Sequence, residues 1–402
     1  MSIADPPPVR LIHFDRPEAR QDPAVADVVH RLDEIARHRQ AGRDPDDLLR
    51  RQLDMVSSGE LVMPAPFGAG TDEDRSTESI YSGHRIFYRF RTSEPYYWVT
   101  GTCGHEYALC CVYFPERRIA VTFNRAALDW YQLNRFDETY VRFPFEHGEG
   151  TSIVAGFPHS MHTIWNELPA LERLSGTNLD VPIAYTHQPL GPLNLIFPEL
   201  AGRLSPLPYA DVTSWNRRHR FQVALGSRRI PRSTRERVVR VANELRSETV
   251  KMAQREFRLR FKRIVWLSVK PPMRTPVNQV EFLAEVIKGM GAPGVGFILN
   301  GVSFPWDLYQ NSNYPTDKWL AAQTGAAAQL IESVLSLLPS HLRHRVQSVN
   351  GISLPDEFGW SELADFYVCH GGSMQNKVAL GSQSPRRCPF QLALPCLQFD
   401  AA

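Results

Sequence analysis

The side chains best suited to acid–base chemistry lie in the segment GFPHSMHTIWNELPALERL, which places His162 and Glu167 at the start of a predicted helix. This helix follows a predicted buried strand, TSIVAGF, and His162 and Asn166 share one helical face because they are four residues apart. A free histidine has a pKa near ~6.5, so it can take a proton from a hydroxyl group near neutral pH. We interpret His162 as a candidate catalytic base. Glu167 is a second catalytic candidate, either as a base whose pKa is raised by burial or as the group that orients the histidine. The alternative is that His162 only caps the helix.

A second segment, ADFYVCHGGSMQNKVALGS near the C-terminus, has the composition of a phosphate-binding turn. Its apolar run breaks at two glycines and restarts as a predicted helix. This arrangement offers backbone N–H groups and the positive end of a helix dipole to a phosphate. The predicted binding residues of this turn are His370, Gly371, Gly372, Ser373, Gln375, Asn376 and Lys377. The alternative is a strand-to-helix turn that binds no ligand.

Two further loops follow predicted strands in the second half of the chain, SVKPPMRTPVNQVE and FILNGVSF. Their candidate nucleotide-binding residues are Lys270, Arg274, Asn278, Gln279 and Asn300. Because the loops at the carboxyl ends of parallel strands converge on one edge of a sheet, these residues can meet in space. The alternatives are a surface salt bridge for Arg274 and a turn position for Asn300.

The elements that must position these residues alternate between strands and helices, which predicts an α/β fold with mostly parallel sheets. Residues 1–80 are predicted to be a peripheral segment. Residues 81–215 are predicted to form an acceptor-side α/β domain with an antiparallel meander, and residues 216–262 a basic helical connector. Residues 263–402 are predicted to form a donor nucleotide-binding, Rossmann-like domain, and substrates are expected in a cleft between the two domains.

The composition is that of a soluble cytoplasmic protein, with 43% hydrophobic and 22% charged residues and no apolar run of the ~20 residues that cross a bilayer. The net charge of +2 argues against general nucleic-acid binding. Residues 217–263 nevertheless hold 16 Arg or Lys against four Glu. We interpret this stretch as one long solvated helix; RNA binding or contact with an anionic membrane face is the alternative.

Sequence motifs for several enzyme classes are missing from the chain. It has no G-x-S-x-G, Walker, H-E-x-x-H or G-x-G-x-x-G motif, which argues against hydrolases, ATPases, zinc proteases and dehydrogenases. No D-x-D pair suits a divalent metal, so we predict a reaction without a metal or other cofactor. The six cysteines form no C-x-x-C pair and are interpreted as reduced. A small metal site built from Cys369, Cys388, Cys396 and His370 is the alternative.

With these residues in view, the chain resembles bacterial glycosyltransferases of the two-Rossmann-domain GT-B superfamily, of the kind that build capsule, O-antigen and other surface glycans. One resemblance is to an H-x-x-W-N-E-like helix, another to a late H-G-x-x-Q-x-K turn, and a third to an R-x-x-x-N-Q loop. The matching residues are His162, Trp165, Asn166 and Glu167 in the first, His370, Gly371, Gln375 and Lys377 in the second, and Arg274, Asn278 and Gln279 in the third. The resemblance covers about residues 150–400.

The resemblance implies two Rossmann-like domains facing a cleft, with an N-terminal helical and antiparallel β extension. It implies a nucleotide-sugar donor and a hydroxyl acceptor on a glycan, a lipid-linked carrier or a protein, with no specific nucleic-acid partner. The expected location is the cytoplasm, with the inner face of the cell membrane as the alternative. A non-catalytic nucleotide- or glycan-binding protein, or a partner subunit of a polysaccharide-synthesis complex, is the competing function.

Overall fold

The structure is a computed structural model, and it describes most of the chain. The described residues are 8–14, 16, 19, 21–28, 31–32, 45–67, 72–100, 110–123, 130–142, 146–158, 160–227, 229–270, 278–314 and 318–369. The chain folds into two compact units, which are treated separately below. Unit 1 comprises Met1–His187 and Phe197–Pro231, and unit 2 comprises Gln188–Ile196 and Arg232–Ala402.

Unit 1 contains an antiparallel meander and a parallel sheet. Its strands are β1 (Arg10–His13), β2 (Leu61–Pro64), β3 (Glu73–Ser76), β4 (Glu78–Ser82), β5 (Arg85–Phe90), β6 (Tyr96–Val99), β7 (Cys111–Phe114), β8 (Ile119–Thr122), β9 (Thr151–Ala155), β10 (Ile183–Tyr185), β11 (Leu204–Pro206) and β12 (Phe221–Ala224). Strands β4 to β8 follow one another antiparallel, and β1 joins β8 in parallel. The predicted meander over residues 81–123 is therefore confirmed, and β1 and β4 show that parts of residues 1–80 belong to its sheet.

The helices of unit 1 cover these sheets. They are α1 (Pro45–Ser58), α2 (Trp130–Phe136, continued by a π-helical turn over Asp137–Val141), α3 (Ser160–His162, a π-helical turn over Thr163–Glu167, then Leu168–Ser175) and α4 (Val212–Arg218), with 3-10 turns at Pro198–Arg203 and Tyr209–Asp211. The meander packs its aromatic face on α2, where the rings of Phe87 and Phe136 stack with their centroids 3.6 Å apart.

The parallel sheet of unit 1 has the strand order β11-β10-β9-β12, and every neighbouring pair is parallel. Numbered from the first strand, this order is 3-2-1-4, so the direction of winding reverses between β9 and β12. Open α/β sheets bind their ligands outside the carboxyl ends of the strands at such a reversal. In unit 1 that edge begins after Ala155 of β9 and Ala224 of β12.

Unit 2 is built around a second parallel sheet. Its strands are β13 (Arg263–Ser268), β14 (Val295–Asn300), β15 (Ser303–Phe304), β16 (Val346–Val349), β17 (Ile352–Ser353) and β18 (Phe366–Val368). The main sheet has the order β16-β14-β13-β18, again all parallel, and β15 and β17 form a separate two-stranded ribbon. This order is also 3-2-1-4, with the reversal between β13 and β18.

Helices cover both faces of the sheet in unit 2. They are α5 (Arg232–Leu245), α6 (Glu248–Arg260), α7 (Gln279–Met290), α8 (Lys318–Ser336) and α9 (Leu354–Glu362), with short helices at Leu193–Ile196 and Ser340–Arg343. Successive side chains of β13 point to opposite faces. Val265 and Leu267 pack with residues of α7 and α8, whereas Ile264 and Trp266 pack with residues of α6 and α9. A strand buried on both faces explains why β13 and β14 are almost continuously apolar.

The basic stretch does not form the single long helix that the sequence indicated. It divides into α5 and α6, because Ser247 leaves helical geometry and its side chain accepts a hydrogen bond from the backbone N–H of Val250 as an N-cap. Buried side chains on both helices, such as Val241 and Phe257, turn one face toward the interior of unit 2. Earlier in the same stretch, Phe221–Ala224 forms β12 in unit 1.

The described helices are either too short or too polar to cross a lipid bilayer. Even α8, with 19 residues, does not meet the requirement.

Candidate functional site

A glycine marks the carboxyl end of β9 in unit 1. Gly156 has φ +93°, and a Cβ atom at this position would lie 2.5 Å from the backbone nitrogen of His187 and 2.6 Å from that of Thr186. Any side chain would therefore collide with the backbone that leaves β10, and the positive φ adds a second penalty. The carbonyl of Gly156 accepts a hydrogen bond from Nδ1–H of His187 at 2.8 Å. The backbone segments that follow β9 and β10 are therefore in close contact, and this hydrogen bond joins them.

Glu167 reaches back from α3 to this contact. Its carboxylate accepts hydrogen bonds from the backbone N–H of Gly156 at 3.0 Å and of Phe157 at 3.0 and 3.1 Å. The side chain is only 4% exposed, and burial raises its pKa to about 7, against the smaller opposing effect of the hydrogen bonds from Phe157, Gly156 and Thr163. Glu167 therefore fixes the loop after β9 and can also exchange a proton near neutral pH.

His162 is held by Asn166 in the π-helical turn of α3. The side-chain amide nitrogen of Asn166 donates to the carbonyl oxygen of Ser227 at 2.9 Å, and the backbone N–H of Ser227 donates to the carbonyl of Asn166. This pairing fixes the orientation of the amide, so its oxygen faces Nδ1 of His162, 3.2 Å away. An amide oxygen can only accept, so Nδ1 carries the proton and the lone pair lies on Nε2. Nε2 is the atom that can act as a base.

A ring cluster continues from His162 across the same edge of unit 1. Phe157 lies 5.4 Å from His162 and 5.3 Å from His84 between ring centroids, in edge-to-face arrangements. His84 also contacts the rings of His187 at 5.5 Å and Tyr209 at 5.4 Å. The cluster lies beside Gly156 and Glu167, with which His84 and Phe157 line a small cavity.

His84 enters this cluster from the turn between β4 and β5. Gly83 and His84 both have positive φ, 56° and 64°, in a turn where glycine or asparagine is the usual second residue. Its ring nitrogens face the hydroxyl groups of Tyr81, 3.3 Å away, and of Tyr209. Burial, with the nearby His187 and Arg85, lowers the pKa of His84 to about 3, so this ring is neutral over the physiological range. Sequence reasoning missed His84, although a histidine in a two-residue Gly-His turn is a signal that could have found it.

In unit 2, Gln279 occupies the place that Glu167 has in unit 1. It begins α7, and its side chain reaches back to the end of β13. The amide oxygen accepts from the N–H of Lys270 at 2.9 Å, and the amide nitrogen donates to the carbonyl of the same residue at 3.0 Å. Gln279 is 4% exposed, so this pair of hydrogen bonds joins the start of α7 to the residue after β13 on the buried side. At the neighbouring strand end, the hydroxyl of Ser268 donates to Sγ of Cys369 at 3.1 Å.

Asn300 and Asn278, two other predicted binding residues, have different environments. Asn300 ends β14 and is fully buried, and its amide nitrogen donates to Oε1 of Glu357 at 2.7 Å. It holds α9 against the sheet and does not face solvent. Asn278 is the N-cap residue of α7, with no cap hydrogen bond from its side chain.

The remaining predicted binding residues lie outside the described residues. These are Arg274, His370, Gly371, Gly372, Ser373, Gln375, Asn376 and Lys377. The structure thus brings His162, Asn166 and Glu167 together in unit 1, and Lys270 and Gln279 together in unit 2.

Cysteines and acidic residues give no further site among the described residues. Within those ranges, no group of three or more His, Cys, Asp or Glu side chains is arranged to hold a metal ion, and Cys110, Cys111 and Cys369 are not in disulfide bonds. The absence of a metal from the reaction therefore remains a prediction from the sequence.

Two comparisons with known proteins found no match for this chain. No protein-family model matches it, and the search of curated proteins finds no significant match. The function must therefore be argued from the two strand edges themselves.

Proposed function

We propose that the protein is a glycosyltransferase that moves a sugar from a nucleotide-sugar donor to a hydroxyl acceptor without a metal ion, in the synthesis of a surface glycan. The observation that carries this proposal is the strand order 3-2-1-4 in both parallel sheets. This order matches the first four strands of the six-stranded Rossmann order 3-2-1-4-5-6, in which nucleotides bind at the reversal between strands 1 and 4. Two Rossmann-like halves in one chain, each with polar residues at that edge, fit an enzyme that handles two substrates.

The nucleotide diphosphate belongs, in this proposal, to unit 2. Lys270 follows β13 at the reversal, and β18 is the adjacent parallel strand. Arg274 follows the first of these strands in the sequence, and residues 370–377 follow the second. Cations and backbone N–H groups at this edge would stabilise the negative charge that develops on the leaving diphosphate.

The acceptor hydroxyl belongs to unit 1, where His162 is the proposed base. Nε2 takes the proton from the acceptor hydroxyl as its oxygen attacks the anomeric carbon of the sugar. The bond from that carbon to the diphosphate oxygen breaks, and the nucleoside diphosphate leaves with the electron pair. The imidazolium that forms keeps its Nδ1–H bonded to Asn166, which supports this role for the ring. Glu167 positions the loop and is the second proton carrier.

A panel of sugar nucleotides tests the proposal. We expect one donor to raise the melting temperature and to release free nucleotide when an acceptor is added. His162→Ala should lower turnover by at least ~100-fold, the lower range for loss of a general base, and leave the thermal shift by the nucleotide unchanged. His341→Ala, at an exposed position on a short helix of unit 2, is the control and should retain full turnover.

Two results would contradict the proposal. One is a panel in which no sugar nucleotide shifts the melting temperature or is turned over. The other is turnover in His162→Ala within threefold of the native protein. A thermal shift by a nucleotide with no turnover under any condition would favour the competing function, a non-catalytic nucleotide-binding protein.

A further inference from the structure

A second cavity in unit 1 lies beside the candidate site but is built from other elements. It has a volume of about 290 Å³, close to the lower end of the ~300–1,000 Å³ typical of ligand pockets. Its wall is mostly apolar and comes from α1, β2, β5 and β12, including Leu48, Met55, Leu61, Tyr88 and Val223. Helix α1 and strand β2 precede the parallel sheet in the chain, and of these four elements β12 is the one that also belongs to that sheet.

The cavity and the candidate site have one lining residue in common. Ala224, the last residue of β12, lines this cavity and also the small cavity in front of Gly156, Phe157, His84 and Glu167. The end of β12, with a methyl group as its side chain, therefore borders both the apolar space and the cavity that Glu167 lines. Protein interiors are close-packed, so an apolar cavity of this size beside the candidate site is a candidate binding site for a small molecule.

The polarity of the wall indicates what kind of molecule fits. Arg51, Asp54 and Ser58 line the exposed side of the cavity, and its buried side combines Leu48, Met63 and Val223 with the polar residues Gln52 and Thr100. Both polar side chains already bond the backbone, because Oε1 of Gln52 accepts from the N–H of Gly226 and Oγ1 of Thr100 accepts from the N–H of Ile86. A sugar would therefore leave most of its hydroxyl groups without partners against this part of the wall. A methylene group is about the size of a water molecule, which takes ~30 Å³ in the liquid, so the cavity has room for about ten carbon atoms.

We propose that this cavity binds the apolar body of the acceptor, an alcohol with an aliphatic or aromatic part of about ten carbon atoms. The occupant's hydroxyl lies toward Ala224 and its apolar body against α1 and β2. This inference rests on the proposed function for the role of the alcohol as acceptor. Binding itself does not depend on the donor, and it can be measured without one.

Direct binding tests the proposal. The full-length protein is titrated with 1-naphthol, a ten-carbon aromatic alcohol whose fluorescence emission differs between water and apolar surroundings. The bound probe is then displaced with 1-decanol; glycerol is the polar comparison. We expect saturable binding of the probe, displacement by 1-decanol and no displacement by glycerol. Met55→Trp fills the cavity from α1 and should weaken binding of the probe at least tenfold.

Two further variants keep the outcome interpretable. Leu61→Trp fills the cavity from β2 and should have the same effect, which guards against a folding defect in either variant. Arg50→Trp places the same bulky residue on the exposed side of α1 and should bind the probe as the native protein does. The proposal is overturned if the native protein does not bind the probe, or if both filled variants bind it normally.

The role as acceptor has its own readout. In the nucleotide-release assay, Met55→Trp should raise the KM for 1-decanol at least tenfold and leave the KM for the donor unchanged. Donor turnover that 1-decanol does not accelerate would reject the acceptor role. If no donor is turned over at all, the proposed function fails, while the binding measurement still decides whether the cavity takes apolar alcohols.

Discussion

The parallel sheets of units 1 and 2 have the same strand order. The residue that bonds the end of the first strand, however, is of a different type in each sheet. In each, a residue of the helix after the first strand reaches back to the backbone at that strand's end. In unit 1 this residue is Glu167, which accepts from the N–H groups of Gly156 and Phe157. In unit 2 it is Gln279, which both accepts from and donates to Lys270. The same hydrogen-bonding task is done once by an acid and once by a neutral amide.

The difference separates two kinds of chemistry. A carboxyl group buried at the strand end repels phosphate when ionised, and a pKa raised to about 7 lets it exchange protons near neutral pH. In unit 2 the amide of Gln279 adds no negative charge beside Lys270, which suits an anionic ligand. One topology thus provides an acid–base edge in unit 1 and an anion-compatible edge in unit 2.

The largest expected effect concerns the pH dependence of stability and is isolated by Glu167→Gln. The folded-state pKa of Glu167 is about 7, above its unfolded value of 4.5, so its contribution to stability is fully present below pH 4.5 and is lost as the pH rises through about 7. Glutamine does not titrate. The variant should therefore gain about 3 kcal/mol relative to the native protein between pH 4.5 and pH 8, as measured by urea unfolding at each pH.

The comparison with the native protein removes contributions from other groups, such as His84, whose pKa is about 3 in the fold and whose unfolded form titrates near 6.5. Glu138→Gln, at an exposed position in the π-helical turn after α2, is the control for net charge. If the free energy of unfolding changes with pH in the same way for Glu167→Gln and the native protein, then Glu167 ionises in the folded protein without loss of stability. The contrast between the two edges would then fail.

The reverse exchange in unit 2, Gln279→Glu, should have the next largest effect. One carboxylate oxygen can still accept from the N–H of Lys270, but the other would face its carbonyl oxygen, where Gln279 now donates. We expect a loss of about 2 kcal/mol at pH 8 in urea unfolding, since a buried charge meets an unpaired acceptor. Affinity for a nucleoside diphosphate, measured by calorimetry, should fall at least ~10-fold through like-charge repulsion.

Gln329→Glu makes the same chemical change at an exposed position on α8 and is the matched control. It should alter neither stability nor affinity by a measurable amount. If Gln279→Glu binds the diphosphate as tightly as this control does, the neutral edge of unit 2 is not where the diphosphate binds.

The sequence predicted the general architecture because burial leaves a clear pattern. The continuous apolar runs of β9, β13 and β14 indicated strands covered on both faces, and the alternation with helices indicated parallel sheets. The helix carrying His162, Asn166 and Glu167 was predicted in place. The break between α5 and α6 was missed because a single Ser at position 247 gave a weaker signal than the apolar spacing on either side of it.

The site could be predicted only in part because its geometry depends on contacts between distant residues. His84 approaches Phe157 and His187 through a hairpin turn more than 70 residues earlier in the chain, and no local pattern contains that contact. The burial of Asn300 follows from its pairing with Glu357 on α9. A polar residue after a predicted strand has the same sequence signature whether it faces a ligand or a buried partner.

The smallest expected effect on stability distinguishes two buried asparagines, one at each edge. Asn166→Ala and Asn300→Ala each remove hydrogen bonds to buried partners, and each should lower the free energy of unfolding by about 1 kcal/mol, measured with urea.

The effects of these two alanine variants on turnover should differ. Asn166→Ala releases His162 from its fixed tautomer, so kcat should fall ~10-fold or more while the KM for the donor stays unchanged. Asn166→Asp should restore part of the lost kcat, because a carboxylate can also accept from Nδ1–H. Asn300→Ala should leave kcat unchanged, since Asn300 contacts Glu357 and the interior of unit 2. Equal losses of kcat in the two alanine variants would mean that Asn166 supports only the fold, and that His162 needs no partner to act.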